Sequence, residues 1–266
     1  MSTLESLLRQ DRVVVLASLG GVVAIAWVYL LLGAGIQMDE MDMGGGQVML
    51  MERPWTLGYA ALIFVMWSIM MMAMMLPSAA PTILLISALA RNRGIGHGVP
   101  TAGLFTLGYV LVWTGFSTAA TLLQWSLDRA GWLSEAMAAT STMVAGSVLI
   151  AAGIYQWTPL KQSCLKHCRS PLAFLLQHWR KGAWGAVTNG VRHGIFCLGC
   201  CWMLMLMLFV GGLMNLLWIG GLAVVVLIEK TLPWGGRMSQ IIGAALVALG
   251  AVTLFGVHWS GSLSVG

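Results

Sequence analysis

Residues 56–76 read TLGYAALIFVMWSIMMMAMML, a run without a single charge. About 20 predominantly apolar residues, rising about 1.5 Å each, is the length at which a helix crosses the hydrocarbon of a bilayer. Six further segments of the 266-residue chain meet or approach that length: Val13–Leu32, Thr101–Leu123, Ala136–Trp157, His193–Val210, Gly212–Ile228 and Ser239–Trp259. Only Gly211-Gly212 divides the fifth span from the sixth. Composition agrees, with 59% hydrophobic and 9% charged residues and a mean hydropathy of +0.86. A soluble domain carries about 25% charged residues, so this chain could not cover its surface in water. The sequence predicts an all-α polytopic membrane helix bundle of about seven transmembrane helices, residues 1–266 forming one integral membrane domain. The first span is full length and follows Arg9 and Arg12, which reads as a retained anchor rather than a cleaved signal peptide. Ser78–Ala90, after Pro77 and Pro81, is too short to span and reads as a kinked extension or interfacial helix.

The net charge of +5 does not point to nucleic acid, because the basic residues form neither a face nor a tail. Their positions set orientation instead, since short basic loops resist translocation. With seven spans, twelve of the fourteen Lys and Arg fall on alternate loops. The N-terminus and the basic loop 158–192 are then cytoplasmic, and the C-terminus and the Met-rich loop 37–53 are external. A bacterial inner membrane is the expected location.

Chemistry gathers in three places. Loop 37–53 sets Met38, Met41 and Met43 among Asp39, Glu40 and Asp42, presenting thioethers to a soft cation that the carboxylates attract. On the second span Met66, Met70 and Met74 repeat at four-residue spacing, with Met71 and Met75 forming an adjacent row. Lipid does not need thioether where Leu or Val would serve, although flexible helix packing is an alternative use. All five cysteines fall in two groups. Cys164, His167 and Cys168 lie in the basic loop, whereas His193, Cys197, Cys200 and Cys201 open the fifth span, with Met203 and Met207 on the following turns. A reducing compartment makes such clusters metal-binding or catalytic rather than structural disulfides. Thiolate, imidazole and thioether together suit Cu(I). Zinc would accept the Cys and His but leaves the Met rows unexplained. The bland reading of the fifth-span cysteines is small residues packing in a Gly-rich helix.

Glu229-Lys230 closes the sixth span, where an interfacial ion pair is expected, and Asp128-Arg129 reads as a solvated loop pair. Gly211, Gly212, Gly220 and Gly221 are candidates for close helix approach.

The Met tract ending Ala73-Met74-Met75-Leu76-Pro77-Ser78 with Pro81 is one shared motif. A second is Tyr155-Gln156-Trp157-Thr158-Pro159-Leu160-Lys161 running into Cys164 and Cys168. The third is Arg192-His193-Gly194 followed by Cys197, Cys200 and Cys201. Together these resemble the bacterial family of predicted metal-binding integral membrane proteins of unknown function, over roughly residues 55–258. The resemblance implies a membrane location and a metal site; loop 37–53 lies outside it.

The residues therefore predict a copper-binding membrane protein that acquires, holds or transfers Cu(I), with the lipid bilayer and a copper-accepting protein or other membrane subunits as partners. No phosphate loop, dinucleotide fingerprint or nucleophile elbow indicates an enzyme. A thiol-disulfide oxidoreductase pairing Cys164/Cys168 with Cys200/Cys201 is one alternative. A non-catalytic subunit or assembly factor of a larger membrane complex is the other.

Overall fold

The computed structural model describes residues 3–34, 39–42, 48–51, 55–92, 98–133, 137, 141–170, 180 and 182–262. Helix α1 (Thr3–Leu31) is followed by a two-stranded antiparallel hairpin, β1 (Asp39–Asp42) and β2 (Val48–Met51), in which Met41 faces Met49 across the ladder. The segment expected to be a plain loop thus carries local backbone pairing. Met38 and Met43 lie outside the described residues.

Then come α2 (Leu57–Asn92), α3 (Gly98–Arg129), α4 (Thr142–Trp157) and α5 (Pro159–Arg169). The chain continues through α6 (Gly182–Leu206), the single turn α7 (Leu208–Gly211), α8 (Leu216–Thr231) and α9 (Gly235–Ser262). Five of the described helices, α1, α2, α3, the α6–α7 unit and α9, are long and apolar enough to cross a membrane. The α4–α5 pair, bent by 64°, makes a sixth if counted as one span. The expected sixth span, Gly212–Ile228, appears as the 16-residue α8, about 24 Å at 1.5 Å per residue.

Helix boundaries differ from the sequence reading, most consequentially in α2 and α6. Helix α2 runs without interruption through Pro77 and Pro81 for 36 residues, so of the two readings of Ser78–Ala90 the extension of the second span holds and the separate interfacial helix does not. Proline removes a backbone donor from each such turn. Close by, the Met75 carbonyl accepts from the Ser78 hydroxyl at 2.9 Å and the Tyr109 hydroxyl at 3.2 Å. Helix α6 starts at Gly182, not His193, which places Cys197–Cys201 deep within a 25-residue helix. Its polar, Gly-rich opening stays helical because it packs closely on α3. A Cβ on Gly190 would collide with the Phe105 carbonyl, and one on Gly108 with that of Val187.

The same device joins α4 to α9, where a Cβ on Gly153 would lie 2.7 Å from the Gly243 carbonyl oxygen. Small residues let backbones approach where the surroundings offer no hydrophobic drive. Gly220 and Gly221, expected in this role, have nothing nearer than a Trp27 ring carbon at 3.8 Å. Gly211 instead seats the Trp218 indole, whose N–H donates to the Met207 carbonyl at 2.8 Å. That bond, the left-handed Gly212 (φ 86°) and the Asn215 cap on Trp218 N at 3.1 Å build the break between α7 and α8.

Thr158 caps α5 and Pro159 occupies its first turn, so the chain turns sharply after α4 and lays α5 against α6. Asp128 is not paired with Arg129. It accepts from the Trp55 indole at 2.5 Å, while the Arg129 guanidinium sits 4.9 Å from the Trp125 ring centroid.

Candidate metal centre

Met66, Met70, Met71, Met74 and Met75 on α2 are each at most 2% exposed, so the thioether rows face the bundle interior. Near the Met66 end is a cavity of about 80 Å³ whose lining includes Met66, Leu213 and Met214. At the other end the row meets the cysteines of α6. Cys197, Cys200 and Cys201 are buried, and the last two thiols donate back to the Cys197 carbonyl at 3.1 and 2.9 Å.

Three sulfurs from two helices gather round one side chain of a third. The Lys230 Nζ on α8 lies 2.8 Å from Cys197 Sγ, 3.9 Å from Cys201 Sγ, 3.8 Å from Met75 Sδ and 3.3 Å from Ser78 Oγ. Cys201 Sγ and Met75 Sδ are 3.9 Å apart. Metal–sulfur bonds of about 2.3 Å in a trigonal site give sulfur–sulfur edges of about 4 Å, so this pair has the spacing a trigonal ion needs. Tyr109 braces the group, its hydroxyl 2.9 Å from Cys197 Sγ. Among the described residues no set of three His, Cys, Asp or Glu is arranged to hold an ion. The donor set is completed by a thioether, and a lysine stands in its midst.

The second cysteine group divides. Cys168, half-buried, points its sulfur at Cys200 Sγ, 4.0 Å away. Cys164 packs elsewhere on α6, in the space a Cβ of Gly199 would take. Burial first, and then the neighbouring Cys200, push its thiol pKa up. His167 is exposed and stacks on Phe196 with ring centroids 4.2 Å apart. His193 is buried, with the rings of Phe105 and Tyr109 at 5.7 and 5.8 Å. Met207 is buried and Met203 half-buried. The side chain of Met41 lies outside the described residues.

Below the sulfurs, Lys161 and Glu229 form an ion pair at 2.8 Å with side chains 0% and 3% exposed. Gln156 accepts a hydrogen bond from Lys161 and another from Ser239 at 3.0 Å. Glu229 therefore pairs with α5 and not with its neighbour Lys230, and both are buried rather than interfacial. Beside them opens a cleft of about 370 Å³ whose lining includes Lys166, Arg169, Ser170 and Lys230.

Sequence reasoning gave Lys230 an interfacial ion pair rather than a place among the sulfurs, gave Ser78 no role, and passed over Tyr109. The signal for Lys230 was available, because an ionisable residue at the end of an apolar run is a functional candidate by default. Tyr109 and Ser78 carry no comparable signal in isolation; only the packing of α3 and α2 against α6 brings them to Cys197.

No curated protein and no solved structure matches this chain. The sequence signature of one family matches residues 64–253, more than two thirds of the chain and every element of the sulfur cluster. Its description is narrower than the metal-binding family that the motifs resemble: the chain belongs to the PpoB2 family of copper chaperones.

Proposed function

We propose that this chain is an integral membrane protein that receives Cu(I), holds it between Cys197, Cys201 and Met75, and hands it on through Cys200 and Cys168. The observation that carries the reading is the meeting of one thioether and two thiol sulfurs at the end of a buried methionine row. Thiolate and thioether select Cu(I) over zinc. Met66 and Met214, beside the outer cavity, are the entry ligands, and Met70 and Met74 connect them to the cluster. Neutral thioethers bind weakly enough to release what they pass. Cys168 is the half-exposed end of the chain of sulfurs and is where an accepting protein would collect the ion. Met38, Met41 and Met43 of loop 37–53 are the outer collector of this route.

Membrane insertion is supported by the length and apolarity of α1, α2, α3, α6 and α9. It is also supported by apolar residues such as Ile25, Ile241 and Val252 that face outward. With the N-terminus cytoplasmic, the basic cleft and Cys168 lie on the cytoplasmic side, where thiols stay reduced.

Metal analysis of the purified protein after Cu(I) loading tests the reading. About one equivalent of copper should be retained, and C197S/C201S should retain almost none, while C164S should bind as the parent does. Zinc without copper, or full copper retention in C197S/C201S, would remove the sulfur cluster from consideration.

A further inference from the structure

We propose that the Lys230 ammonium is a tethered stand-in for the cargo: it fills the sulfur site when copper is absent, is pushed aside when Cu(I) enters, and returns to expel it. This rests on the copper reading of the same site and adds how the site is emptied.

Lys230 belongs to α8, yet its Nζ reaches Cys197 at 2.8 Å and lies within 3.9 Å of Cys201 and Met75. An ion bonded to these sulfurs at about 2.3 Å would need the space this ammonium occupies. Two positive charges so close in a buried site repel strongly, so the two occupants exclude each other. The exchange is one for one. Ammonium and Cu(I) each carry a single positive charge and no electron moves; the Cys201 thiol, which donates to the Cys197 carbonyl in the metal-free site, releases its proton to solvent as Cu(I) bonds to its sulfur.

The lysine also has somewhere to go. Lys230 lines the cleft of about 370 Å³ together with Lys166 and Arg169. That space admits the displaced side chain but is poor for a third cation, because like charges destabilise one another. Copper therefore displaces the lysine into an unfavourable place, which lowers affinity and drives the return. A sulfur site without such a competitor would hold Cu(I) too tightly for delivery. The opposite arrangement, in which Lys230 stays beside a bis-thiolate copper centre and neutralises it, predicts the reverse effect of removing the charge.

The test compares Cu(I) affinity of the full chain with that of K230M and K230Q in detergent, using a chromogenic Cu(I) chelator as competitor. Both variants should bind at least about tenfold tighter and surrender copper to the chelator more slowly. Unchanged or weaker binding overturns the proposal. A second measurement needs no variant: amine acylation of the native protein, read by peptide mass spectrometry with and without Ag(I) as a redox-inert surrogate. Lys230 should be protected in the metal-free protein and labelled at least severalfold faster with Ag(I); equal protection in both states also overturns it. If the native protein binds neither ion, the copper reading itself has failed, which is a distinct result from a K230M that binds more weakly.

Discussion

Replacing Lys161 with Met should unfold the protein more readily than replacing both Lys161 and Glu229. The pair joins α5 to α8 at 2.8 Å with both side chains shut away from solvent. Among the described residues Glu229 Oε1 has no hydrogen-bond partner, so Lys161 is the main compensation for that carboxylate. Removing one member of a buried pair costs about 3–5 kcal/mol because a charge is left uncompensated, whereas exchanging both for apolar residues of similar volume is close to neutral. At roughly 2–4 °C per kcal/mol for a chain of this size, K161M and E229M should each lower Tm by on the order of 10 °C. K161M/E229M should recover most of that loss. The assay is thermal unfolding in detergent followed by the fluorescence of a thiol-reactive dye. Because α5 carries Cys168, the single variants should also expose its sulfur, and Cys168 should alkylate faster while Cys197 stays protected. A double variant as unstable as the summed singles would show that the pair contributes no mutual energy, and the reasoning about α5 would be wrong.

Two further outcomes are expected. Exchanging Met70 and Met74 for Leu keeps the buried volume but removes the weak ligands between entry and cluster; copper uptake measured by stopped-flow should slow at least about tenfold with little change in final affinity, and unchanged uptake would mean copper takes another route. A reporter inserted near Arg180 should be cytoplasmic and one fused after Gly266 external; the reverse would place the cysteines in an oxidising compartment and favour disulfide chemistry.

Much of the fold is legible in the sequence because a long apolar helix announces itself by composition alone, as residues 56–76 do. Boundaries are not, and α6 shows why. Its first turns, Gly182 to Arg192, are too polar and Gly-rich to score as a span. They are held helical by contacts with α3 that only the folded chain supplies. The Met row was readable from its four-residue period, whereas its interior direction needed the structure. The cysteine groups illustrate the limit of local spacing. His167 and Cys168 are adjacent in sequence, yet one stacks on Phe196 and the other faces Cys200. Lys230 was visible as an ionisable residue at the end of an apolar run. Pairing it with its neighbour Glu229 was the natural reading, but consecutive helical positions point about 100° apart, and each found a different partner.

The methionine row of α2 also fixes a step length. Rungs four residues apart are separated by about 6 Å along a helix, whereas one ion bonded to two sulfurs spans at most about 4.6 Å between them. Successive rungs held rigidly could not grip the same ion, so a gap must be crossed at every turn. Met71 and Met75, offset by one residue from Met70 and Met74, shorten the gap near the cluster. Elsewhere it has to be closed by side-chain swing, for which the unbranched methionine chain is suited. Traffic along this helix would therefore run at the pace of rotamer changes among buried thioethers, and stiffening the packing around Met66 and Met70 would throttle it without touching a single ligand.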